Sequence, residues 1–131
     1  MVKRYVQEKG SRDVQRLIES GLPAASRLSE IEVASALERQ CRENAILPAD
    51  RDRALGALRR DLRSSIIVEL TADVIDLALG ILARHTLRTG DAVQLASAME
   101  LGNRLDYPVG FSAFDKRLLE AARKEGIPVL N

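Results

Sequence analysis

The sequence predicts an α/β fold, a parallel sheet flanked by helices. Short apolar or β-branched runs alternate with longer stretches whose apolar residues recur every three or four positions. No Asn-Gly or Asp-Gly pair joins two such runs, so connections through helices, and hence parallel strands, are favoured over hairpins. With 131 residues, 46% of them hydrophobic, the chain can bury one core as a single domain over 1–131. Aromatics are only 3%, so that core must be aliphatic.

The opening MVKRYVQEKG sets Val2, Tyr5 and Val6 at helical spacing, with Gly10 as the stop. Residues 12–20 read as a second helix, with Val14, Leu17 and Ile18 on one face, Ser11 as N-cap and Gly21 beyond its end. Residues 23–28 read as a short strand, and Ser29 to Ala45 as a helix presenting Val33, Ala34, Leu37 and Cys41 together. Pro48 and Asp50 open another helix through Leu62, Arg-rich outside and Leu-lined inside. IIVEL at 66–70 is a strand, and Thr71 caps the helix that follows. Thr89 and Gly90 restart the chain into DAVQLASAME, whose stripe is Ala92, Leu95, Ala96 and Met99. Residues 109–113 form a strand, FDKRLLEAARKE a helix stopped by Gly126, and 127–130 a last strand. Four strands are few for a covered sheet, which suggests that one is missing.

A single Cys41 and a single His85 exclude an internal disulfide and a structural zinc site. A reducing cytoplasm fits, and no apolar run approaches a membrane span. The net charge of +1 does not by itself announce nucleic acid. Phosphate loops, nucleophile elbows and paired cysteines are absent, which leaves carboxylates to carry any chemistry.

Three acids stand at helix starts: Glu32, Asp91 and Asp115. In an open parallel sheet the strand C-termini and the helix starts after them share one edge, where ligands bind. Each acid also has a structural reading. Ser29-x-x-Glu32 fits a capping box, Ser112-x-x-Asp115 has a similar shape, and Asp91 suits a helix dipole. Asp91 sits at the edge of its helix's apolar stripe, turned inward rather than to solvent. Half-buried carboxylates that converge repel unless a cation joins them, and hard oxygen ligands suit Mg²⁺ or Mn²⁺. Glu30 is about 200° around the helix from Glu32, so the two cannot serve one site.

GDAVQLASA and FSAFDKRLLEAARKEGIPVL closely resemble the C-terminal half of PIN-domain proteins, particularly the VapC toxins of bacterial toxin-antitoxin pairs. SRLSEIEVASALER resembles the family's second motif, its acid at Glu32, and VKRYVQEKGS the segment just after the first. The resemblance implies an endoribonuclease in which Glu32, Asp91 and Asp115 hold Mg²⁺ or Mn²⁺ directly or through water. It implies a supporting role for Ser112, an antitoxin partner and a homodimer. Lys3, Arg4, Arg88 and Lys116 are the candidates for RNA contact. The family's first motif is a strand ending in Asp, which would fall before Met1. A start assigned at an internal Met would account for both the abrupt opening and the lost acid, and the chain as given would then cleave RNA poorly. The alternative is a PIN-derived domain that binds an antitoxin or another protein without cleaving RNA.

Overall fold

A computed structural model describes residues 3–6, 23–106, 109–113 and 115–130. Among these residues four strands form one sheet: β1 (Lys3–Val6), β2 (Pro23–Ser26), β3 (Ile66–Val68) and β4 (Val109–Ser112), in the order β3-β2-β1-β4. Among the described residues five helices accompany them: α1 (Leu28–Arg42), α2 (Pro48–Arg63), α3 (Ala72–Arg84), α4 (Thr89–Leu105) and α5 (Lys116–Lys124). The α/β class is therefore borne out.

Strand direction differs from expectation at one place. β2 and β3 are parallel, with Ala24 opposite Ile66 and Ser26 opposite Val68. β1 is antiparallel to both neighbours, Arg4 facing Ala24 on one side and Lys3 facing Ser112 on the other. Thus β2, β3 and β4 run one way and the central strand runs against them. The helix read into MVKRYVQEKG is corrected to this strand. A segment between β2 and β4 finds open backbone donors and acceptors on both sides, and pairing with both outweighs a spacing pattern carried by three residues. Tyr and Val are also good strand formers.

The expected strand at 127–130 reduces to one parallel bridge between Phe111 and Val129, with the Leu130 N–H donating to the Phe111 carbonyl at 2.8 Å. The helix expected at 12–20, and the residues around it, lie outside the described residues.

Helix starts follow local chemistry. Ser26 Oγ accepts the Leu28 N–H at 3.2 Å. Asp50 accepts the Leu47 N–H at 3.1 Å across the Pro48 start of α2. Thr71 Oγ1 accepts the Val74 N–H at 3.3 Å, the cap that the sequence predicts. The core is aliphatic apart from the fully buried Phe111. Its axle is α4, buried on every side rather than along one stripe, which packs on α1, α3, α5, β2 and β4.

Candidate active site

The C-terminal ends of β2, β3 and β4 lie on one edge, and α1 and α5 begin just beyond β2 and β4 there. Glu32 sits in the second turn of α1, Asp91 in the first turn of α4, and Asp115 at the N-cap of α5. All three line one groove of about 640 Å³, whose apolar wall comes from Val33, Leu37 and Leu58. Burial pushes the Asp91 carboxyl above its usual range, the charges of Asp115 and Glu32 push it further, and Arg88 opposes them. Asp91 therefore senses both other acids.

The structural readings of the acids resolve unequally. Asp115 does cap its helix, Oδ1 accepting from the Arg117 and Leu118 N–H groups at 2.8 and 3.1 Å. That replaces the cap proposed for Ser112, which ends β4 opposite Lys3, outside the groove lining. Ser29 and Glu32 make no capping box, because α1 begins one residue earlier and Ser29 is buried within it. Glu32 instead accepts a hydrogen bond from Gln94 Nε2 at 2.7 Å. Glu30 turns away to Arg59 on α2 at 3.6 Å, as its angular separation requires.

The donor chemistry of the groove fits a hard divalent cation: its acids are all carboxylates, and burial together with the charges of Asp115 and Glu32 makes the ionised form of Asp91 costly unless a cation joins it. Two buried polar atoms on the groove residues, Ser29 Oγ and Gln94 Oε1, have no hydrogen-bond partner. In spacing, no group of three acid, His or Cys side chains among the described residues closes to ligand distance. Side-chain rotation would have to draw the acids inward. The reversed β1 adds no acid, since the residue it brings to this edge is Lys3.

Basic residues border the acids. Arg88, Lys116 and Arg117 line an adjoining hollow of about 570 Å³ together with Asp91 and Asp115. Arg88 and Lys116 were expected here, and Arg117 was not. The side chains of Lys3 and Arg4 lie outside the described residues, although the Lys3 backbone runs along the same edge. The Arg-rich α2 is an exposed, ion-paired face, with Arg51 joined to Glu38 and Asp52, and Arg53 to Asp50.

Two residues against the Glu32 carboxylate escaped the sequence reading. Gln94 is a polar residue inside the apolar run AVQLASA, a signal that was there to be seen. Gly90 carries none, because its role appears only once Glu32 folds over it. The PIN domain family model matches residues 4–124. Among curated proteins no significant match is found.

Proposed function

Because the chain belongs to the PIN-domain family, whose members are typically metal-dependent nucleases, we propose that it is an endoribonuclease of the VapC type, the toxin of a type II toxin-antitoxin pair. The observation that carries this reading is the convergence of Glu32, Asp91 and Asp115 from three separate helices on one groove, where burial, and then the charges of Asp115 and Glu32, push the Asp91 carboxyl above its usual range. On this reading those three residues hold Mg²⁺ or Mn²⁺. When bound, the cation supplies a Lewis acid that activates water and offsets charge on the phosphate. Asp91, half-buried, fixes the inner wall, and Asp115 is held in place by its own helix cap. Arg88, Lys116 and Arg117 offer cations to the RNA backbone, joined by Lys3 and Arg4. Ser112, at the end of β4, supports the acids from the strand side.

The setting that goes with this reading is a single cytoplasmic domain over 1–131 that pairs with an antitoxin and forms a homodimer. Among the described residues no helix is long and apolar enough to cross a membrane.

RNA cleavage assayed with Mg²⁺ or Mn²⁺, and again with EDTA, tests the proposal. Metal-dependent cleavage that Asp91→Asn abolishes without loss of folding supports it. Cleavage indifferent to EDTA, or undiminished in Asp91→Asn, overturns it. A second reading, an antitoxin-binding domain impaired in cleavage, is favoured by the absence of ligand spacing among the described acids and by a central strand that brings Lys3 to the edge. Metal-independent capture of an antitoxin without RNA cleavage distinguishes it.

A further inference from the structure

We propose that Gly90 and Gln94 are positioning residues that together seat the Glu32 carboxylate beside Asp91 for cation binding. The inference rests on the cation-binding reading of the groove and assigns roles to two residues outside the acid set.

The seat has two halves, one for each oxygen of Glu32. Gln94 Nε2 donates to Oε1 at 2.7 Å. A carboxylate only accepts hydrogen bonds, so this contact also fixes which end of the amide is which. Oε2 lies over Gly90, where a Cβ would stand 2.2 Å away. Residues 90 and 94 are one helical turn apart on the same face of α4, and Asp91 lies between them in sequence. One turn of α4 thus presents one acid and grips another.

Neither residue is explained by folding alone. Gln94 is 6% exposed in a helix that is otherwise mostly apolar, and its Oε1 has no partner, an arrangement that a Leu in its place would relieve. Gly90 sits inside α4 without a positive φ, so its backbone makes no demand for glycine, and glycine is a poor helix former. What it supplies is room for the Glu32 carboxylate. A Glu on a helix face otherwise swings about three side-chain torsions, and its repulsion from Asp91 favours the outward positions. The seat opposes both.

The test compares wild type with Gly90→Ala, Gln94→Leu, Glu32→Gln and the double variant Glu32→Gln/Gln94→Leu. Mn²⁺ affinity is read from the spin-resonance signal of the free ion, and thermal melting is followed in EDTA. We expect Gly90→Ala and Gln94→Leu each to weaken Mn²⁺ binding about 10-fold or more. Gly90→Ala should melt no lower than wild type, so that affinity and stability move in opposite directions, which general damage does not produce. Gln94→Leu should add nothing in the Glu32→Gln background, because its effect passes through Glu32. Wild-type affinity in both single variants, or a Gln94→Leu loss that persists in the double variant, overturns the seat while leaving the cation site standing. Should Gln94→Leu fail to fold, Gly90→Ala decides alone. A wild type that binds no Mn²⁺ overturns the cation reading and the seat with it.

Discussion

Asp115 performs two tasks that substitution can separate. As N-cap it satisfies two backbone donors of α5, and as a carboxylate it adds charge to the groove. Asp115→Ser keeps a good cap, so urea denaturation should show a loss below about 0.5 kcal/mol while Mn²⁺ binding falls sharply. Asp115→Ala should lose both, with about 1 kcal/mol of stability. Asp91 behaves in the opposite sense. Its folded pKa is raised by burial and by Asp115 and Glu32. Its contribution is therefore fully present below about pH 3.9, the unfolded value, and is lost as pH rises through the folded one. In EDTA near pH 7, Asp91→Asn should melt no lower than wild type, and the two should converge as the medium is acidified. The three acids were legible in the sequence because each follows a strand or turn at a helix start, where a parallel sheet gathers ligands. Gly90 and Gln94 were less so, since their meaning lies in a contact with Glu32, which is 62 positions from Gln94.

Between elements, one polar cluster ties the end of α3 to the end of α5. Glu125 accepts from Arg84 Nε and Nη2 at 3.0 and 2.7 Å and pairs with His85 Nε2 at 2.7 Å. The Arg84 hydrogen bonds, then His85, hold the Glu125 carboxyl below its usual range. The stabilisation is present above the ordinary Glu range and is lost as pH falls through the folded pKa. Glu125→Gln should cost about 1–2 kcal/mol at pH 7, Arg84 being half in solvent, and the deficit should shrink towards zero in acid. Equal deficits at both pH values would show that packing, not charge, makes the tie. The helices themselves were readable from caps and breakers such as Thr71, Pro48 and Gly126. β1 was not. Four residues hold too little pattern to choose between periods, and the two ladders that decide the matter come from residues 23–24 and 109–112.

Across the whole molecule, the α/β class followed from alternation, and the aliphatic core from composition. The reversal of the central strand followed from neither, because direction depends on which edge the chain enters and not on residue type. A ligand that binds only the folded state stabilises it, by about 2.7 kcal/mol at a hundredfold excess over its dissociation constant. Mn²⁺ should accordingly raise the melting temperature of the wild type by several degrees and leave Asp91→Asn unmoved. An equal rise in both would place the ion elsewhere.

The central ladder joins Lys3 to Ser112, across most of the described chain. On a ribosome β1 is made well before β4, one of its two neighbours. At about 5–20 residues per second, β1 waits some 5–20 s for β4 to be synthesised. Over that interval α4, the axle of the core, is also incomplete, so vectorial synthesis offers no early foothold. The domain should acquire protease resistance all at once and only after β4 has been made, as a late and cooperative event rather than a gradual one.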